Sequence, residues 1–180
     1  MSAVVLCVGN ELAADDGIGI RVGRVLARLV LPPHVRVELR RAVGFDVLDL
    51  FERDQHLIIV DAAVTGQPPG TCFLLQRADL EQVAQAPVCV HGVGIPELLQ
   101  IATRMQPDQV PRQVDVVSVE AGRLDRFTTV LSPAVREALP CAVAHVLRLL
   151  GADSPLLQAG EQQARQLQPW DPDPLDALGG

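Results

Sequence analysis

The sequence is poor in aromatic residues and has no closely spaced pair of cysteines. Phe, Trp and Tyr together make up 3% of its 180 residues and tyrosine is absent, so the hydrophobic core must be built from Leu, Val, Ala and Ile. The four cysteines are scattered in apolar surroundings without a C-x-x-C motif, at Cys7, Cys72, Cys89 and Cys141. Their spacing predicts reduced, mostly buried thiols, as in a cytoplasmic protein.

The chain also lacks an excess of positive charge. It carries 15 basic and 22 acidic residues, which gives a formal net charge of −7. Nucleic acids and anionic membranes are bound by clustered Lys and Arg, so neither is expected as a partner. The first apolar run has no basic residues before it and is too short for a signal peptide, and no window approaches the length of a transmembrane helix. We therefore expect a cytoplasmic protein.

Short apolar runs alternate with helical patterns along residues 1–150. A valine-rich run from Val4 predicts a strand buried on both faces, followed by a polar loop at Gly9 and Asn10 and a helix that stops near Leu31, ahead of two prolines. Thr71–Leu75 follows a short turn and is expected to return antiparallel to its predecessor as an edge hairpin. Further patterns predict strands at 35–43, 56–63 and 114–119 and helices at 45–51, 80–85, after Pro96 and from Pro133, with Ser132 as the N-cap of the last one.

Four or five strands interleaved with helices predict an α/β fold: a three-layer α/β/α sandwich with a mainly parallel sheet. We assign residues 1–150 to a single domain. From Gly151 onward the sequence turns to Gln, Pro, Asp and Gly, and residues 151–180 are expected to be a tail, mobile in solution, that adds little to the core.

Polar side chains that these patterns do not require stand at Asp16, Asp61 and His91. Each follows a predicted strand or directly precedes a helix, and the carboxyl ends of parallel strands share one edge of a sheet. Two carboxylates and an imidazole suit a divalent transition metal such as zinc, nickel or manganese. The sequence thus predicts a metal site at this edge.

Simpler interpretations of the same residues stay open. Asp15 and Asp16 stand where a helix begins and suit helix-capping groups. Asp61 suits a carboxylate that anchors a loop, and a single histidine before a helix suits a hydrogen-bonded loop residue. His56 begins its strand and is expected at the opposite edge from Asp61.

Two other classes of site are disfavoured. Gly17, Gly19 and Gly23 follow a strand, but their spacing is G-x-G-x-x-x-G, and the two aspartates before them would repel a pyrophosphate. The chain has no Walker lysine motif and no G-x-S-x-G motif of serine hydrolases.

The sequence resembles the maturation endopeptidases of nickel-iron hydrogenases, which remove a C-terminal peptide from the precursor of the large subunit. Four segments carry the resemblance, in the family's order and at similar separations: V-G-N-E-L-A-A-D-D-G-I-G from Val8, H-L-I-I-V-D-A-A from His56, H-G-V-G-I-P-E-L-L from His91 and G-R-L-D-R-F-T-T-V-L-S-P-A-V from Gly122. The resemblance covers about residues 1–150, and the tail has no counterpart. The resemblance implies a twisted five-stranded sheet and a cytoplasmic enzyme, expected to be a monomer.

The resemblance also implies functional roles for individual residues. Asp16, Asp61 and His91 would recognise nickel that is already installed in the hydrogenase large-subunit precursor, and other divalent metals would fit the same ligands. The general base is left open among Asp15, Asp16 and Asp61. A non-catalytic, nickel-sensing chaperone of the same precursor is the alternative function.

Overall fold

The sheet has five strands, of which four are parallel. The structure is a computed structural model that describes residues 2–83, 95–124 and 127–168. The strands are β1 (Ser2–Val8), β2 (Val35–Arg40), β3 (Gln55–Ala63), β4 (Cys72–Gln76) and β5 (Gln113–Glu120), in the order β2-β1-β3-β5-β4. Only the edge strand β4 runs antiparallel to its neighbour. The half-exposed β2 forms the other edge and pairs only with β1.

Helices cover both faces of the sheet. They are α1 (Ile18–Leu26), α2 (Arg77–Val83), α3 (Ile95–Met105), α4 (Pro133–Leu149) and α5 (Ser154–Gln166), with single 3₁₀ turns at Ala14–Gly17 and Phe45–Leu50. Alternate residues of β1, β3 and β5 contribute to two separate cores: one lies under α1, α4 and α5, and the other under α2, α3 and the turn Phe45–Leu50. This arrangement confirms the three-layer α/β/α architecture.

The Thr71–Leu75 prediction is right about an antiparallel edge strand but wrong about its partner. β4 pairs with β5, with Cys72 opposite Val119 and Gln76 opposite Asp115, and does not form a hairpin with β3. Glu120 at the end of β5 explains the change. Its carboxylate accepts hydrogen bonds from the backbone N–H groups of Thr65 and Gly66. Its backbone is also hydrogen-bonded to the backbones of Gly70 and Thr71. These contacts hold the turn against the end of β5, so β4 pairs with β5.

Two helical predictions need smaller corrections. α1 ends at Leu26 and not near Leu31, because the following amides of Arg28 and Leu29 bond carbonyls three residues back and tighten the chain into 3₁₀ geometry. The helix predicted at 45–51 is a 3₁₀ segment, Phe45–Leu50, in which Leu48 is buried and Phe45 is 59% exposed.

Part of the segment expected to be a tail is packed against the domain. Asp153 is the N-cap residue of α5, and its side chain accepts a hydrogen bond from the backbone N–H of Leu156; the helix packs on α4 and α1. Gly160 permits this approach, since a Cβ there would meet side-chain atoms of Leu147 and Val143 at 2.5 and 3.0 Å. Ala164 is buried in the same core. For Ser154–Gln166, the expectation of a tail that adds little to the core is therefore wrong.

No helix in the described ranges combines the length and the apolar character needed to cross a membrane.

Candidate functional site

The loop after β1 makes a tight turn at the carboxyl edge of the sheet. Gly9 has a φ of +150°, in a region that L side chains rarely adopt, and a Cβ there would overlap the carbonyl oxygen of Asp16. The backbone of the turn Ala14–Gly17 therefore rests directly against the end of β1. The turn also contacts β3. Asp16 is thus held where two central parallel strands end.

Gly19 fixes the start of α1 over the same two strands. A Cβ at Gly19 would overlap the carbonyl oxygen of Val8 and meet that of Val60 at 2.5 Å. Close packing of the helix on β1 and β3 explains why residue 19 is a glycine, and a bound phosphate is not required to explain it. This is consistent with the sequence argument against a dinucleotide site.

Asp15 is an anchor for neighbouring loops. The side chain is fully buried, and its two carboxylate oxygens accept four hydrogen bonds. Oδ2 accepts from the backbone N–H groups of Gly122 and Arg123, at 3.0 and 2.8 Å, and from the hydroxyl of Ser132 at 2.9 Å. Oδ1 accepts from the backbone N–H of Ser132 at 2.6 Å. Asp15 therefore ties the turn Ala14–Gly17 to the end of β5 and to the start of α4.

Asp16 and Asp61 are buried carboxylates at this same edge, 3% and 1% exposed. Oδ2 of Asp16 accepts the backbone N–H of Asn10 at 3.2 Å, and Oδ1 of Asp61 accepts that of Ala62 at 2.8 Å. Along β3, Leu57 and Ile59 belong to the core under α3, and Asp61 continues that alternation. The side chain of Asp61 therefore lies on the α3 face of the sheet. Asp61 directly follows Val60, whose carbonyl oxygen lies against Gly19.

The two histidines singled out in the sequence have different outcomes. His91 lies outside the described residues, four positions before α3 in the sequence. His56 is buried at the amino end of β3, where its Nε2 lies 2.6 Å from Oδ2 of Asp115. The prediction that His56 is at the opposite edge from Asp61 is confirmed.

Two loops join beside Asp16 and expose apolar side chains. Thr128 donates its amide to the carbonyl of Leu12 at 3.2 Å, and its own carbonyl accepts the amide of Ala14 at 2.9 Å. Leu12, Phe127 and Val130 are 52%, 91% and 50% exposed. We call these three side chains the apolar rim. It borders the turn that carries Asp16.

Two polar residues of the site make contacts that the sequence analysis does not predict. Glu120 is buried and holds the loop after β3 through Thr65 and Gly66, and its position directly after a buried strand is the signal that marks it. Ser132 is the N-cap residue of α4, but its hydroxyl makes no capping bond and donates to Asp15 instead. No local sequence pattern indicates that the Ser132 hydroxyl binds Asp15 and makes no capping bond.

Comparison with known proteins identifies the family. The model of the hydrogenase maturation proteases matches residues 20–149 of the chain. The chain belongs to this family. The match includes Asp61 and His91 and begins just after Asp16.

Relatives of this protease are similar over most of their length. The hydrogenase 2 maturation protease of Escherichia coli is 31% identical over 153 residues, which cover 83% of this chain and 91% of the relative. The hydrogenase expression/formation protein HupD of Rhodobacter capsulatus is 30% identical over 151 residues, or 83% of this chain and 71% of the relative.

Solved structures have the same fold. The hydrogenase maturating endopeptidase HybD from E. coli superimposes with a TM-score of 0.73 at 30% identity, covering 84% of this chain and 93% of that one. The maturation protease HybD from Thermococcus kodakarensis gives 0.66 at 23% identity, covering 83% and 99%. The protease is thus a peptide-bond hydrolase of hydrogenase maturation, and its family does not favour the non-catalytic chaperone.

Proposed function

We propose that this protease removes the C-terminal extension from the precursor of a nickel-iron hydrogenase large subunit after nickel has been inserted, and that Asp16, Asp61 and His91 recognise the bound nickel. The observation that carries this proposal is the placement of Asp16 and Asp61. They are buried carboxylates at the carboxyl edge of adjacent parallel strands, where open α/β sheets bind their ligands. His91 precedes α3, which packs on the sheet face that Asp61 occupies.

Asp15 has a different role in this proposal. Both of its carboxylate oxygens accept hydrogen bonds from backbone N–H groups and a hydroxyl. Asp15 therefore orients the turn, and Asp16 binds the nickel. The choice of general base then narrows to Asp16 or Asp61.

The proposed ligand set explains why unloaded precursor is spared. Two carboxylates and one imidazole fill three positions of a divalent ion, and the remaining positions suit ligands that the precursor itself brings. Nickel here is part of the substrate, and when bound it polarises the scissile carbonyl or activates water. The residues of the protease place that peptide bond beside the ion, which lowers the entropic part of the barrier. Precursor without nickel lacks the group that these residues hold.

The partner is a folded protein, and the apolar rim offers it a contact surface. Leu12, Phe127 and Val130 border the turn that carries Asp16, so a chain end directed at Asp16 passes over them. We further propose that the protease works as a monomer in the cytoplasm.

The test is processing of purified, nickel-loaded precursor, followed by mass spectrometry of the products. We expect Asp16→Asn, Asp61→Asn and His91→Gln to keep the fold, as judged by circular dichroism, and to lower the processing rate by at least about 100-fold. Asp108→Asn, at a 92% exposed carboxylate, and His56→Gln, at the opposite edge, are the matched controls and should process normally. Normal processing by the three site variants would refute the assignment, as would cleavage of nickel-free precursor at the same rate.

A further inference from the structure

A second cluster of metal-binding side chains lies on the outer side of the domain, between β4 and α4. Cys72 begins the edge strand β4, and Cys141 and His145 lie one turn apart on α4. Their donor atoms all lie within 4.8 Å of one another. The sequence prediction of mostly buried thiols holds for Cys7, but Cys72 is half-buried and Cys141 is exposed. Cys89 lies outside the described residues.

Both sulfur–nitrogen distances in the cluster are close to those of a tetrahedral metal site. Nδ1 of His145 lies 3.6 Å from Sγ of Cys141 and 3.8 Å from Sγ of Cys72. A zinc ion at about 2.3 Å from sulfur and about 2.05 Å from nitrogen, with tetrahedral angles, separates S and N by about 3.6 Å. The two observed distances are therefore within about 0.2 Å of the tetrahedral value.

One existing contact must be exchanged when an ion binds. Nδ1 of His145 lies 2.9 Å from the carbonyl oxygen of Cys141, to which an Nδ1–H would donate. That carbonyl is inside α4, where it also accepts the backbone N–H four residues later, so it keeps a partner when the imidazole turns to a metal. The proton then moves to Nε2, and the ring stays neutral.

The charge of two thiolates suits a divalent ion. Partial burial and the adjacent Cys141 thiol raise the pKa of Cys72 to about 12. A bound ion displaces the two thiol protons, and two thiolates then balance its two positive charges. The donor set contains two sulfurs and no carboxylate, so it selects a thiophilic metal and differs from the oxygen-rich set of Asp16 and Asp61.

We propose that Cys72, Cys141 and His145 form a binding site for a thiophilic divalent cation of the zinc class. The site has three protein ligands and one position open to solvent, and it joins the edge strand β4 to α4. It does not depend on the proposed nickel recognition, since it shares no residue with it.

The test uses Co²⁺ as a spectroscopic substitute for zinc, added to the full-length protein in a phosphine reductant. We expect a sulfur-to-cobalt charge-transfer band in the near ultraviolet that saturates at one sulfur-bound Co²⁺ per chain, with strong visible bands typical of tetrahedral cobalt. Both sets of bands should be lost when Zn²⁺ is added. Cys72→Ser, Cys141→Ser and His145→Gln should each weaken binding by at least about tenfold. His34→Gln, at an exposed imidazole, and the double variant Asp16→Asn, Asp61→Asn should retain the sulfur-to-cobalt band.

Several results would overturn the site. One is absence of the charge-transfer band in the folded wild-type protein. Another is a band that survives Cys72→Ser and Cys141→Ser unchanged. A third is a Cys72–Cys141 disulfide that persists in reductant, detected as a mass 2 Da lower than that of the reduced chain, because it would make the pair a covalent link and not a metal site. Failure of the nickel-dependent processing test leaves all of these results unchanged, so the two proposals are tested separately.

Discussion

The four hydrogen bonds of Asp15 lead to a quantitative prediction about stability. Asp15→Ala removes the acceptor of three backbone N–H groups, those of Gly122, Arg123 and Ser132, and of the Ser132 hydroxyl. A part-buried N–H left without an acceptor costs about 1–2 kcal/mol, so the free energy of unfolding should fall by roughly 3–6 kcal/mol. A domain typically has about 5–15 kcal/mol in total, so this is a large fraction.

A double-mutant cycle with Ser132 identifies the source of that loss. Ser132→Ala removes only the hydroxyl, whose 2.9 Å bond goes to Asp15, and should cost about 1 kcal/mol in the wild-type background. In the Asp15→Ala background the hydroxyl has lost its acceptor, and Ser132→Ala should cost less than about 0.5 kcal/mol.

Urea unfolding followed by far-ultraviolet circular dichroism gives all four free energies. Equal costs of Ser132→Ala in both backgrounds would show that the Ser132 hydroxyl acts independently of Asp15, as a helix cap does, and would refute the side-chain bond between them. A change below about 0.5 kcal/mol for Asp15→Ala would refute the anchor role of Asp15.

Further predictions concern the close packing, the buried thiols and the apolar rim. Gly19→Ala places a Cβ against strand carbonyls and should destabilise the fold by about 3 kcal/mol, measured in the same urea assay. Burial raises the pKa of Cys7 and Cys72 above the ordinary value of 9.0, so the folded state keeps these thiols protonated. Their contribution to the free energy of unfolding is complete below about pH 9 and should decline as pH rises from there toward 12. A series of thermal melts over this pH range measures the decline. Phe127→Ala should raise the KM for loaded precursor several-fold with the fold unchanged, while Val30→Ala, at a side chain 94% exposed and outside the rim, should not.

Much of the fold can be predicted from the sequence because the central strands are buried on both faces. Continuous apolar runs such as those of β1 and β3 fit few other environments, and the direction of β3 alone places the acid near its carboxyl end at the sheet edge. The position of Asp61 and the opposite position of His56 follow from this single rule.

The errors occur where contacts remote in sequence decide the structure. The turn after β3 goes to β5 because a carboxylate 55 residues further on binds it. α5 packs although its composition is polar, since Gly160 and Ala164 let it approach α4 closely. Likewise, Cys72 meets Cys141 and His145 only after β4 is placed at the edge of the sheet, so no spacing of cysteines in the sequence indicates the cluster.

The adjacent acids Asp15 and Asp16 show why local geometry separates two roles that the sequence leaves together. They lie in the 3₁₀ turn Ala14–Gly17, where successive side chains are about 120° apart around the axis. One carboxylate therefore faces the start of α4 and the loop after β5, and the other faces the loop that follows β1. Neither can take the other's place without turning the backbone, which Gly9 and the bond from Ala14 to Thr128 hold fixed. For this reason the intact Asp15 should not rescue processing in Asp16→Asn, although the two acids are neighbours in the chain.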